Sequence, residues 1–147
     1  MKPAVARNIA HYSHLKARDR FGGLVVEHVE RVAAAVPARA RVIAYLHDVM
    51  EQTGTNVQDL REQGLTDLEL EALDLLTRLP EEPYEVYCLR VTWGHGDAGM
   101  LARTVRLAEL DDHIAHRGLL FDVPPYGWAR RHIVVAEELL VGHARAA

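Results

Sequence analysis

Apolar residues along this chain recur three and four positions apart, the spacing of one face of an α-helix, and no stretch alternates convincingly with period two. A first helix is predicted over about residues 4–17, with a break near Phe21-Gly22-Gly23. Val25, Val29, Val32 and Val36 then form one inward stripe on a helix over about 24–36, which Pro37 ends. A third helix is predicted over about 38–52, with Val42, Ile43, Leu46, Val49 and Met50 inward and Gly54 as its stop. A short helix around 57–63 ends at Gly64. Thr66-Asp67-Leu68-Glu69 reads as a capping box, in which hydroxyl and carboxylate satisfy each other's backbone amides, and it opens a helix running to about Arg78. Pro83 suits the first position of the helix PYEVYCLRVTW. GHGDAG (94–99) reads as a flexible turn, and two more helices are expected over about 100–115 and 128–143, joined by a loop holding Pro124-Pro125. The sum is an all-α fold of about six to eight helices in a compact single domain spanning 1–147.

Composition supports a folded domain and narrows its partners. The 147 residues are 49% hydrophobic, enough for a core. Lys plus Arg is 17 and Asp plus Glu is 21, so the net charge is −4 and gives no general attraction to nucleic acid or anionic lipid. Nucleic acid is therefore not expected as a partner, and a phosphate-bearing ligand would need a local device such as a metal ion or a few placed arginines. The single cysteine, Cys88, excludes an intramolecular disulfide and a Cys-rich zinc site, and its apolar helix makes it a buried thiol. No apolar run approaches the roughly 18 residues of a membrane span, and the N-terminus lacks the apolar centre of a signal peptide. The expectation is a cytoplasmic protein without a membrane partner. Homo-oligomerisation is a lesser possibility for the last helix, whose stripe through Val134, Leu140 and Val141 is expected to close the core.

Nine histidines stand out. His28 lies three residues after Val25 and four before Val32, so it is on the buried stripe of its helix. His47 is four after Ile43 and three before Met50, Asp48 follows it, and Glu51 is one turn further on the same side. Buried acids beside inward imidazoles are costly unless something compensates them, and a divalent cation does so efficiently. A further ligand would come from the helix around 100–115. There Arg106, Glu109 and His113 share a face and Asp112 lies three beyond Glu109. Without more support, a buried histidine is more often a hydrogen-bonded core residue than a ligand. His11, His14, His95, His116, His132 and His143 carry no motif and are expected mostly at the surface, although His11 and His14 share a helical face.

Four ordered segments add that support. Asp19-Arg20-Phe21-Gly22-Gly23 is followed by Glu27-His28, and Leu46-His47-Asp48-Val49-Met50-Glu51-Gln52-Thr53 forms a His-Asp centre with acids after it. Leu73 to Arg78 precedes Pro83-Tyr84, and Val105-Arg106-Leu107-Ala108-Glu109-Leu110 closes the series. In this order and spacing, the chain resembles the HD superfamily of metal-dependent phosphohydrolases. The likeness is to the hydrolase domain of bacterial (p)ppGpp enzymes of the RelA/SpoT type and to small stand-alone HD proteins. It covers about residues 8–117 and implies an HD-type helical fold, with the helix at about 128–143 closing the core.

The resemblance implies that His28, His47, Asp48 and Glu109 hold one divalent metal ion, Mn2+ first, with Zn2+, Fe2+, Mg2+ and Co2+ as alternatives. It implies that Glu51 positions or deprotonates an attacking water, and that His113 stands where a residue meets the nucleotide or related small phosphate ester. Phosphoryl transfer needs basic groups near the pocket, and Arg20 and Arg106, with Arg78 third, are the candidates to bind that substrate. Three positions depart from the family pattern: Glu109 stands for an Asp, Gln52 for a second acid, and His113 for an Asn. Asp112 is the alternative fourth ligand if the helix is rotated. The expected function is phosphohydrolase activity, and the alternative is an HD-fold module that binds nucleotide or regulates without turnover.

Overall fold

The structure is a computed structural model and describes residues 1–19, 22–117 and 125–146. Among these the regular structure is helical: α1 (Pro3–Ser13), α2 (Val25–Ala35), a 3-10 turn (Ala38–Ala40), α3 (Arg41–Leu46), α4 (Val49–Gln52), α5 (Val57–Glu62), α6 (Asp67–Leu76), α7 (Tyr84–Thr92), α8 (Gly96–Arg117) and α9 (Tyr126–Ala146). No described helix is long and apolar enough to cross a membrane. The all-α expectation holds, and most segments fall where the periodicity puts them. The capping box forms as expected, with Thr66 accepting from the Glu69 amide while Glu69 accepts from that of Thr66. Asn56 and Asp59 make a second one, which opens α5.

The core gathers the stripes already named. Val29, Val32, Ile43 and Leu46 are completely buried, and each contributes about 1.5–3 kcal/mol. α1 presents Ala6 and Ala10, small enough for it to lie close against α3. The long α8 is the hub: Ala102, Val105 and Leu110 are fully buried, and it packs on α2, α3, α6, α7 and α9.

Three local expectations change. The helix foreseen over 38–52 is divided into the 3-10 turn, α3 and α4, with His47 and Asp48 at the second break. The 94–99 segment is pinned rather than free: a Cβ on Gly99 would lie 2.0 Å from the Gly94 carbonyl oxygen, and the buried Arg103 guanidinium donates to that oxygen at 2.6 Å. α8 accordingly begins at Gly96, inside the expected turn. Finally, α9 buries Ala129, Ile133 and Ala136, whereas Leu140 and Val141 of the expected stripe are exposed. The small residues Ala129 and Ala136 let α9 approach its neighbours closely, and that outweighs the larger apolar area on the other face.

Candidate metal centre

His28 enters the interior because its position on α2 belongs to the valine stripe. Its Nδ1 lies 2.7 Å from Asp112 Oδ2 on α8. A carboxylate only accepts, so Nδ1 carries the proton and Nε2 is left as a bare lone pair. Asp112 is fixed in turn by Arg31, whose Nε donates to Oδ1 at 2.6 Å and whose Nη2 donates to Oδ2 at 3.0 Å. Burial alone would raise the Asp112 pKa, but His28 and Arg31 hold it well below the usual carboxylate range. His28 is shifted the other way, since burial lowers its pKa further than Asp112 raises it and favours the neutral ring.

His47 follows the last residue of α3 and is 3% exposed. Its Nδ1 donates to the Ala44 carbonyl oxygen at 2.7 Å, which again leaves Nε2 unprotonated in the neutral ring. Burial pulls its pKa down, but Asp48 and Glu109 outweigh it and the net shift is upward. Asp48, the next residue, keeps right-handed backbone angles and places Oδ1 3.6 Å from His47 Nε2. One donor atom from each of His28, His47 and Asp48 lies within 4.8 Å of the others, close enough for one cation. The buried Nε2 atoms of His28 and His47 have no hydrogen-bond partner among the described residues. Buried polar atoms are seldom left so, and two bare imidazole nitrogens beside a carboxylate form an ordinary donor set for a first-row divalent ion. Outer hydrogen bonds from the far ring nitrogens are the usual way such ligands are oriented. The residues present therefore fit a metal ion.

Glu51, Arg78, Arg106, Glu109 and His113 line the cavity beside this set without joining it. Glu109 lines the same cavity, but its Oε1 takes the Arg106 guanidinium at 2.5 Å and faces His113 Nε2 at 3.4 Å. Burial would raise the Glu109 pKa; Arg106, His113 and His47 hold it far below its usual value. Arg106 also donates to Tyr84 Oη at 2.8 Å and lies 4.9 Å from the Tyr87 ring centre. Both members of the pair are nearly dry and one turn apart on α8, so each is the other's nearest compensation. Asp112, the alternative ligand, has both oxygens committed to His28 and Arg31 and supports the site from behind.

His113 stacks on His28 at 4.6 Å and on Tyr126 at 4.8 Å, with interplanar angles of 8° and 21°. Two rings cannot share one face at such distances, so both faces of His113 are covered and only its edge can meet a ligand. The cavity holds about 440 Å³ and is lined, besides these groups, by Asp19, Glu51, Gln52, Arg78, Tyr84 and Tyr126. Glu51 accepts from the Arg78 amide at 3.3 Å, and burial, followed by the like charges of Asp48 and Glu109, raises its pKa. Arg78 donates through Nε to the Glu82 carbonyl and pairs with no carboxylate among the described residues. Arg20 lies outside the described residues.

Sequence reasoning missed two parts of the arrangement. The Arg31–Asp112 support joins residues 81 apart, and no local pattern announces it. His14 was expected mostly at the surface but is 1% exposed. Its signal was available: Ala6, Ala10 and His14 are spaced by four and form the buried stripe of α1 and its C-terminal cap. No family model matches the sequence, and no curated protein matches it.

Proposed function

We propose that this protein is a divalent-metal-dependent phosphohydrolase acting on a nucleotide or related small phosphate ester. The observation that supports the reading most is the meeting of two buried Nε2 atoms, unpartnered among the described residues, with Asp48 at the wall of a cavity of about 440 Å³. His28, His47 and Asp48 would hold the ion, with Mn2+ the first to test, and Glu109 is the nearby carboxylate that could join them if Arg106 released it. A bound divalent ion supplies an acidified water and a Lewis acid for a phosphoryl oxygen. Glu51 would accept a proton from the attacking water at its carboxylate, a role that suits a carboxyl whose pKa is raised. Arg78 would hold a phosphate oxygen, since its guanidinium is not spent on an acid. Tyr84 and Tyr126 would keep bulk water from one side of the substrate.

One observation favours a second reading, a module that binds nucleotide without turnover. Glu109, the expected fourth ligand, is held by Arg106. Metal analysis of the purified protein, followed by a panel of nucleotides and simple phosphate esters with added Mn2+, separates the two. Metal uptake with release of phosphate or pyrophosphate supports the enzyme, nucleotide binding without turnover supports the module, and neither metal nor ligand refutes both.

A further inference from the structure

The 77–83 connection brings Arg78 to the cavity wall. Its course is not one that its own residues favour. The Glu82 amide donates to the Leu79 carbonyl at 3.1 Å across a turn with Pro80 second and Glu81 third, and Glu81 has a φ of 61°, a region that usually falls to glycine. Contacts outside the turn must hold such a residue in place.

Glu82 and Arg90 supply them. The Arg90 guanidinium, on α7, forks onto Glu82, with Nε donating to Oε1 at 3.0 Å and Nη2 to Oε2 at 2.9 Å. It also reaches the end of α6, where it donates to the carbonyls of Asp74, Leu75 and Thr77. The Glu82 side chain is 8% exposed and accepts from the Leu79 amide at 3.0 Å, while its main-chain carbonyl accepts from Arg78 Nε at 2.7 Å. α6 and α7 are joined without this pair by Tyr87, whose hydroxyl donates to the Leu76 carbonyl at 2.8 Å. What the pair adds is a fixed course for the residues on either side of Arg78.

We infer that Glu82, gripped by Arg90, is a positioning residue that sets the Arg78 guanidinium to meet a phosphate group in the cavity. The inference rests on reading the cavity as a phosphate-ester site. Arg78 is a long, exposed side chain, and ordering it on contact with an anion costs rotamer freedom. Anchoring its Nε on the Glu82 carbonyl beforehand lowers that cost and leaves Nη1 and Nη2 for the phosphate oxygens.

The test is calorimetric titration with inorganic phosphate, with and without Mn2+, alongside Mn2+ titration and thermal unfolding. It compares the wild-type chain with Glu82→Ala, Glu82→Gln, Arg78→Ala and the double variant Arg78→Ala, Glu82→Ala. Glu82→Ala should bind phosphate about tenfold more weakly than wild type, with Mn2+ affinity changed by less than about twofold. Glu82→Gln keeps an acceptor oxygen for Arg90 and Leu79 and should come back to within about threefold of wild type. The double variant should bind phosphate no more weakly than Arg78→Ala, because Glu82 acts through Arg78. Should Glu82→Ala fail to fold, Arg90→Lys takes its place: it keeps the charge but not the fork, and phosphate affinity should fall about threefold. Wild-type phosphate affinity in whichever of these two variants is folded, or losses that add in the double variant, overturns the inference and leaves the pair as a staple between α6 and α7. A wild-type chain that binds no phosphate, with or without Mn2+, overturns the phosphate-ester reading itself, a result distinct from either.

Discussion

Replacing Arg106 by Met would test the electrostatic logic of the cavity wall. The guanidinium is 4% exposed and its partner Glu109 7%, and they meet at 2.5 Å. Removing one member of so dry a pair strands the other charge, at a cost of about 3–5 kcal/mol. The lost contact with the Tyr87 face, 4.9 Å away, adds about 1–2 kcal/mol for a desolvated cation. Against a total stability of ~5–15 kcal/mol this is a large fraction. At about 2–4 °C per kcal/mol, the pair alone predicts a melting temperature lowered by roughly 6–20 °C.

The pH dependence has a definite sign. In the wild type, Glu109 is held below its usual pKa, so its contribution is present above about 4.3, the unfolded value, and is lost as pH falls through the lower folded one. In Arg106→Met, burial is no longer opposed by the guanidinium and the carboxyl protonates more easily. The gap between the two proteins should be widest near neutrality and narrow as the solution is acidified below about pH 4. Urea unfolding at pH 7 and pH 4 measures both quantities. The double variant Arg106→Met, Glu109→Leu lacks the ring contact too, so what it regains isolates the stranded charge. A cost under about 1 kcal/mol at pH 7, typical of a solvated surface pair, would refute this reasoning.

Asp48→Ala removes the only carboxylate of the donor set and should abolish both Mn2+ uptake and phosphate release while leaving the helical circular dichroism unchanged. Asp112→Asn keeps the shape behind His28 but loses the charge, and Mn2+ affinity should fall about 10–100-fold by calorimetry. Thr66→Ala breaks the box at the start of α6 and should cost about 1 kcal/mol in urea unfolding, with no effect on metal affinity. Glu30, which accepts from Arg7 and His11 at the α1–α2 contact, has a depressed pKa; burial raises it, but His11 and Arg7 outweigh that. Its stabilisation is thus present above the unfolded value of about 4.3 and lost as pH falls through the lower folded one, so Glu30→Gln should cost under about 1 kcal/mol at pH 7 and progressively less as the solution is acidified below about pH 4.

Local periodicity carried much of this architecture. The valine spacing of α2 places His28 in the interior, and the Ile43–His47–Met50 spacing does the same for His47, because both depend only on neighbours within two turns. The inward placement of each histidine was therefore legible before the fold was known, whereas their meeting with Asp48 followed only from the resemblance to the HD superfamily. The pairing of Glu109 was not legible, because its side chain obeys a competition: Arg106, one turn away, offers a nearer and drier partner than an ion on another helix. The division at Leu46–His47 was hidden for a similar reason, since the apolar pattern runs through it unbroken. In α9 the pattern pointed to the wrong face, because area alone favours Leu140 and Val141 whereas close approach favours Ala129 and Ala136. Asp112 illustrates the general limit, with partners 84 and 81 residues away in sequence.

Arg106, Glu109, Asp112 and His113 all ride on the rod of α8. A point substitution there alters the contacts of one side chain. Inserting or deleting one residue just before Arg106 would instead swing all four by about 100° and slide them about 1.5 Å along the axis. The chemistry of the cavity wall is thus intolerant of changes in the length of α8, and a connection that does not line the cavity, such as that between α5 and α6, is a place where this chain can grow or shrink without touching it.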